Sequence, residues 1–64
     1  MVKKETFGQR VKRLRRKKGL SQWTLAKLAD MRTETVSRIE RDENEARDLT
    51  RTKLAGVLGA ELLA

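Results

Sequence analysis

Residues 22–40 read QWTLAKLADMRTETVSRIE, and the spacing of their apolar side chains predicts two short helices separated by a tight turn. The apolar positions of the first helix are Leu25, Ala26, Leu28 and Ala29. Asp30 then interrupts the pattern, because Asp is one of the few non-glycine residues that tolerate a positive φ. The second helix begins near Arg32 or Thr33 and carries Val36 and Ile39 as a narrow buried stripe. A polar outer face remains, formed by Thr33, Glu34, Ser37 and Arg38.

The residues before this segment predict a longer helix. Thr6 and Gln9 have the spacing of a capping box, and an apolar stripe follows at Phe7, Val11 and Leu14. Gly19 ends this helix, since glycine readily adopts the left-handed conformation of a helix C-terminus. Ser21 is the predicted N-cap of the next helix, and Leu20 with Leu25 has the spacing of a hydrophobic staple.

The residues after it predict a loop and a fourth helix. Residues 41–47 have no apolar period and are interpreted as a loop. Asp48 is the predicted N-cap of a helix that ends at Gly59 and has its apolar positions at Leu49, Leu54, Val57 and Leu58. Residues 61–64 are expected to form one frayed turn. The chain therefore divides into a flexible basic N-terminal arm, residues 1–5, and one helical domain, residues 6–64.

The composition excludes most catalytic and membrane-spanning classes. The 64 residues contain no Cys and no His, which removes thiol and imidazole nucleophiles, imidazole bases and soft metal ligands. We therefore expect neither an enzyme nor a metal or organic cofactor. No apolar run approaches the roughly 18 residues of a membrane span, and the N-terminus lacks the apolar segment of a secretory signal. The lack of Cys is compatible with a reducing cytosol, and we expect a cytoplasmic protein.

Positive charge is concentrated in one segment. Residues 1–20 contain nine of the 16 Lys and Arg residues and one of the nine Asp and Glu residues, so this segment carries a charge of +8 while residues 21–64 carry −1, which gives the net charge of +7. Such a distribution predicts a polyanionic partner, either nucleic acid or an anionic membrane surface. The alternative interpretation is an ordinary solvated basic face. A membrane-surface helix would need a broader exposed apolar face than Phe7, Val11 and Leu14 provide.

Two short helices joined by a turn, the second with a polar outer face, describe a helix-turn-helix. The chain resembles the phage-repressor and Cro-type helix-turn-helix family of bacterial transcriptional regulators, also called the xenobiotic-response-element family. The resemblance covers about residues 6–59 without a gap and depends on the segments Phe7-Gly8, Arg13-Leu14-Arg15, Lys18-Gly19-Leu20-Ser21-Gln22, Leu25-Ala26, Val36-Ser37-Arg38-Ile39-Glu40-Arg41, Lys53-Leu54-Ala55 and Leu58-Gly59. It implies an all-α fold, a compact lambda-repressor-like bundle of four to five short helices.

The chain departs from the family pattern at three positions. Asp30 and Asp42 stand where the family has Gly, at a cost of up to about 1 kcal/mol each in the left-handed region. Arg32 replaces the Ser or Thr that commonly caps the recognition helix. Either Thr33 becomes the cap, which moves the helix start by one residue, or the helix end lacks a good cap.

The resemblance also implies roles for individual side chains. Arg15 and Glu40 are expected to form a partly buried bidentate ion pair that fixes the angle of the recognition helix. Thr33, Glu34 and Arg38 occupy the base-reading positions, and their types suit a thymine methyl, cytosine N4 and guanine O6/N7 respectively. For Glu34 a solvated carboxylate is an equally open interpretation. Phosphate contacts are assigned to Ser21, Gln22, Trp23, Arg10, Arg13, Lys17, Arg32 and Arg41. Trp23 is interpreted either as packing on DNA or a partner protein, or as peripheral core over the first helix.

The implied partner is double-stranded DNA. Because one such module reads only a few base pairs, we expect a homodimer on a palindromic operator, acting as a transcriptional regulator and most simply as a repressor. Nothing in the sequence indicates a sensor domain, so no small-molecule ligand is expected. No membrane partner is expected either, because the apolar stripe of the first helix is better used as core. The alternative function is an antitoxin whose main partner is a protein toxin and which uses DNA binding for autoregulation.

Overall fold

The computed structural model describes residues 4–44 and 46–63 of the chain. They form four α-helices, α1 (Phe7–Lys17), α2 (Gln22–Leu28), α3 (Thr33–Glu40) and α4 (Asp48–Leu58), and a C-terminal 3₁₀ helix (Ala60–Leu63). Over these residues no strand interrupts the helices, which confirms the all-α prediction. None of the described helices has the length and apolar character needed to cross a membrane. Met1 to Lys3 of the predicted arm, Glu45 of the loop and Ala64 of the terminal turn lie outside the described residues.

Helix α1 begins and ends as its sequence predicts. The Thr6 hydroxyl accepts a hydrogen bond from the Gln9 N–H, and the Gln9 side chain accepts one from the Thr6 N–H, so the capping box is complete. At the other end Gly19 has φ 71°, and the Leu20 N–H donates to the Arg15 carbonyl at 3.1 Å. This 6→1 bond, together with the bond from Gly19 to Arg16, is the Schellman arrangement that ends a helix at a left-handed residue.

Two aspartates end α2 and α3 in the same way. Asp30 has φ 55° and Asp42 has φ 58°. Both residues therefore occupy the left-handed region, as expected at positions where the family pattern has Gly. The N–H of the following residue closes each end, from Met31 to Ala26 and from Glu43 to Arg38, both at 2.9 Å. Both aspartates therefore end their helices with the same backbone geometry and closing hydrogen bond as Gly19 at the end of α1.

The core lies where the four helices meet. Its buried side chains come from every helical segment, with Leu25, Ile39, Leu54 and Leu62 among the largest that are fully enclosed. Leu62 belongs to the predicted frayed turn, but its complete burial makes the 3₁₀ helix part of the core. Burying a Leu side chain is worth about 2 kcal/mol, which explains why this short segment is ordered against α1 and α4.

Three sequence assignments need correction. Leu28 and Leu49 were assigned to apolar stripes, yet they are 60% and 67% exposed, because each lies on the outer side of its helix. Helix α4 begins at Asp48, so its N-cap is Arg47, which makes no side-chain capping bond. Of the two alternatives for α3, the second is the observed one, since Arg32 is the N-cap and likewise makes no side-chain capping bond.

Candidate nucleic-acid interface

Helix α3 presents opposite faces to the core and to solvent. Val36 and Ile39 are buried against the other helices. Glu34 and Arg38 are exposed, and Thr33 is half-buried at the start of the helix. The three side chains that the resemblance assigns to base reading therefore stand outside the core, on the helix that follows the turn.

An ion pair between α1 and α3 holds the C-terminal end of this helix. The Arg15 guanidinium donates to the Glu40 carboxylate from Nε at 2.6 Å and from a terminal nitrogen at 3.1 Å. The side chains of Arg15 and Glu40 are only 11% and 3% exposed. The second terminal nitrogen of Arg15 donates to the Leu20 carbonyl at 2.7 Å, so the buried guanidinium is well satisfied. The two residues thus adopt the bidentate geometry that the family resemblance implies.

Gln22 joins the same network from the first turn of α2. Its Nε2 donates to Glu40 Oε1 at 3.1 Å, a contact that the sequence analysis did not anticipate. An amide nitrogen carries two N–H donors, so Glu40 holds the Gln22 side chain in place while one donor stays available. The neighbouring Ser21 hydroxyl is engaged as the N-cap, accepting from the Thr24 N–H and donating to the Thr24 hydroxyl.

Trp23 is exposed on α2, beside Gln22. The side chain is 60% exposed, so it is not the peripheral core residue over α1 that one of the two interpretations describes. The Lys27 ammonium lies over its ring, 4.8 Å from the ring centroid. An exposed aromatic ring with a cation on it, next to Gln22, is consistent with the other interpretation, contact with a partner.

The structure separates three predicted phosphate contacts from α3. Arg10, Arg13 and Lys17 lie on the side of α1 that faces the 3₁₀ helix. Arg10 donates to the Leu62 carbonyl at 3.2 Å, and Arg13 and Lys17 lie 3.6 and 4.0 Å from the Glu61 carboxylate. The side of α1 that contacts α3 instead carries Gly8 and Arg15. The structure thus does not bring these three cations together with the base-reading residues.

Glu5 also forms ion pairs with two of these three cations, Arg10 and Arg13. It belongs to the predicted N-terminal arm, but its carboxylate lies against α1, 2.7 Å from Arg13 Nε and 3.3 Å from Arg10 Nε. The hydrogen bond from Arg13 lowers the pKa of Glu5 below its ordinary value, and the same bond raises the pKa of Arg13. Part of the cationic charge of α1 is therefore neutralised within the chain.

The cations around α3 differ from those of α1. Arg32 and Arg38 form no ion pair within residues 4–44 and 46–63, and both are exposed. Arg41 lies 3.1 Å from Glu43, but both side chains are more than half exposed, and such surface pairs contribute about 0–1 kcal/mol. Exposed cations therefore remain at both ends of the predicted recognition helix.

Sequence reasoning missed two features of this region. One is Asp42, which was interpreted only as a replacement for Gly but whose carboxylate hydrogen-bonds to the first turn of α1. The other is a cleft of about 480 Å³ between α3 and the start of α4, lined by Thr35, Ile39, Asn44, Ala46, Arg47 and Thr50. No periodicity or motif marks the cleft, because its walls come from residues that are separated in the sequence.

A helix pair joined by a tight turn, with a polar outer face on the second helix and a glutamine at the start of the first, defines a helix-turn-helix DNA-binding module. The helix-turn-helix family model matches residues 11–63. The chain belongs to this family, the Cro-type helix-turn-helix transcription regulators, which bind DNA.

A solved relative supports the same assignment. The chain is similar to the restriction-modification controller protein C.AhdI from Aeromonas hydrophila, with 40% sequence identity and a TM-score of 0.83. The match covers 89% of this chain and 86% of that one, so the similarity extends over nearly the whole fold of both proteins. A comparison with curated protein sequences finds no match.

Proposed function

We propose that this chain is a transcriptional controller that binds a palindromic operator as a homodimer and represses the promoter that the operator overlaps. The observation that carries the proposal is the exposed polar face of α3, with Glu34 and Arg38 in solvent and the opposite side buried. A helix of this kind fits the major groove, where Arg38 can donate to guanine O6 and N7.

In this proposal the contacts divide into base reading and backbone positioning. Thr33, Glu34 and Arg38 read base edges. Phosphates are held by side chains near the two helices, namely Gln22, Trp23, Arg32 and Arg41. Gln22 is the best oriented of these, because its bond to Glu40 fixes the amide while a second N–H stays available. Arg10, Arg13 and Lys17 are not included, since they are engaged with groups on the far side of α1.

The homodimer follows from the size of the module. One recognition helix of eight residues contacts only a few base pairs, whereas specific sites usually require two half-sites about one helical turn apart. Two large apolar side chains remain more than half exposed in the last two helices, Leu49 at the start of α4 and Leu63 at the end of the 3₁₀ helix. Their exposure supports subunit contact through this part of the chain.

The regulated genes are proposed from similarity. The 40% identity to a restriction-modification controller protein favours the same class of target, a promoter of restriction or modification genes, and hence action in the cytoplasm. The antitoxin alternative is not retained, because neither the family match nor the solved relative points to a toxin.

Selection of bound duplexes from a random pool tests the proposal. We expect a recovered palindrome whose half-sites lie about 10 base pairs apart, and two chains per duplex in sedimentation analysis. In transcription assays with purified polymerase, a promoter overlapping that palindrome should become less active as the protein is added. Recovery of no common sequence contradicts sequence-specific binding, and a single half-site occupied by one chain contradicts the homodimer.

A further inference from the structure

Asp42 connects the end of α3 to the beginning of α1. Its Oδ2 accepts a hydrogen bond from the Thr6 hydroxyl at 2.7 Å, and its Oδ1 accepts one from the Gly8 N–H at 3.1 Å. Thr6 is the N-cap of α1, and Gly8 is in its first turn. The carboxylate that follows the recognition helix therefore accepts hydrogen bonds from the N-cap and the first turn of another helix.

The two elements touch at this point without an intervening side chain. A Cβ on Gly8 would meet the Ile39 carbonyl oxygen of α3 and would lie 2.7 Å from Asp42 Oδ1. Gly8 is thus required for the close approach of the two backbones. Because α1 has no acidic residue in its first turn, Asp42 supplies a carboxylate at the positive end of the helix dipole.

Asp42 lies two residues after Glu40, yet the two residues contact opposite ends of α1. Glu40 pairs with Arg15 near the C-terminus of α1, and Asp42 binds Gly8 near its N-terminus. Seven residues of helix separate these attachment points, a distance of about 10 Å along the axis. Attachments at two points so far apart, together with the buried packing of Val36 and Ile39, restrain the tilt of α3 against α1 more than the ion pair alone.

Asp30 shows that the backbone geometry does not require these bonds. It ends α2 with φ 55° and the same closing hydrogen-bond pattern as Asp42. Its side chain, however, is 96% exposed, and the carboxylate contact that the structure shows is a long one of 3.7 Å to Lys53. The difference between the two aspartates is therefore the bonding of the carboxylate to α1.

We infer that Asp42 is a positioning residue for the recognition helix, setting the angle between α3 and α1 at which the base-reading side chains enter the groove. The inference rests on the proposed DNA reading by α3. Loss of the Asp42 carboxylate should therefore lower the affinity for the specific site more than the affinity for random DNA.

The test compares Asp42→Gly with Asp30→Gly. Each variant introduces the residue most favoured at a positive φ and removes one negative charge, but only Asp42→Gly removes bonds to α1.

Dissociation constants are measured on a duplex selected from a random pool and on a random duplex, below the melting temperature of all variants. We expect Asp42→Gly to lose about tenfold in affinity for the selected duplex, because hydrogen bonds to a charged group are removed, with little change on the random one. Asp30→Gly should match the parent on the selected duplex, and Asp42→Asn, which retains a carbonyl acceptor for Gly8, should recover most of the loss.

A measurement without DNA separates the inference from the proposed function. Residual dipolar couplings of backbone amides report the angle between α1 and α3 in solution, and we expect this angle to change in Asp42→Gly but not in Asp30→Gly. An unchanged angle overturns the inference, as does an equal loss of affinity for both duplexes, which would show a general stability effect. If the parent protein itself prefers no duplex, the proposed reading function fails, and the angle still decides whether Asp42 positions α3.

Discussion

The guanidinium of Arg15 and the carboxylate of Glu40 form a bidentate ion pair that joins residues 25 positions apart and is almost completely enclosed. The Glu40 carboxylate also accepts from Gln22, so a single buried group links α1, α2 and α3. The position of the recognition helix therefore depends on a charge pair that is largely removed from water.

Removal of one member of this pair should be strongly destabilising. We expect Glu40→Gln to lower the free energy of unfolding by about 3 kcal/mol, because the buried Arg15 charge loses its partner. Urea denaturation measures this loss. The double variant Arg15→Met/Glu40→Leu should lose less unfolding free energy than the single variants Arg15→Met and Glu40→Leu lose in sum, because no unpaired charge remains in the double variant. Strictly additive losses would contradict coupling between the two residues.

Arg38 should determine specificity at one base pair of each half-site. Arg38→Ala is expected to reduce discrimination at that position by about 1–3 kcal/mol while the preferences elsewhere in the site persist. Competition binding with duplexes substituted at each position measures the effect. Arg16→Ala is the matched control, because it removes the same charge from an exposed position on α1. Unchanged discrimination in Arg38→Ala would remove the main base-reading assignment.

Arg32 and Arg13 should differ in their contribution to the salt dependence of binding. Arg32 is exposed at the start of the recognition helix, whereas Arg13 is paired with Glu5 and Glu61 on another side of α1. If Arg32 neutralises one phosphate, Arg32→Ala should reduce the slope of log K against log salt by about 0.9. Arg13→Ala should leave the slope unchanged. A reduced slope in the Arg13 variant would show that its ion pairs open when DNA binds.

The C-terminal 3₁₀ helix should contribute measurably to stability. Leu62 is fully enclosed, so Leu62→Ala is expected to cost about 2–5 kcal/mol, a large share of the stability of so small a domain. Leu28→Ala removes the same atoms from a side chain on α2 that is 60% exposed, and should change stability by no more than about 0.5 kcal/mol. Chemical denaturation of both variants checks the contrast, and equal effects would mean that the segment does not pack as described.

Glu5 should make the stability depend on pH in the acid range. Its pKa is lowered in the folded chain by the hydrogen bond from Arg13. The carboxylate therefore stabilises the fold above the ordinary Glu value of about 4.3, and this contribution is lost as the pH falls through the lower folded-state value. Melting temperatures between about pH 2 and 6 should fall less steeply in Glu5→Gln than in the parent. Glu34→Gln is the charge-matched control, because Glu34 is exposed and forms no ion pair with the other residues that the structure describes. Parallel curves for Glu5→Gln and the parent would refute the assignment.

Local sequence determined most of the helix ends. The capping box of Thr6 and Gln9, the left-handed positions at Gly19, Asp30 and Asp42, and the Ser21 cap all form as predicted. These features depend on contacts between residues only a few positions apart, which the chain order fixes. The Asp48 cap and the buried positions at Leu28 and Leu49 were wrong, because the helix starts one residue earlier than its side-chain signal indicates and the two leucines lie on the outer sides of their helices.

Only the tertiary structure decided which charged groups are available for a partner. Neither composition nor periodicity distinguishes Arg13, paired with Glu5, from Arg32, which is exposed, nor shows that Asp42 reaches Thr6 across 36 positions. Such pairings depend on where the ends of different helices meet, and that is set by the packing of the whole core. Most helix ends follow from local hydrogen bonding and can be predicted from the sequence, whereas the partners of the charged side chains depend on the packing of the whole fold.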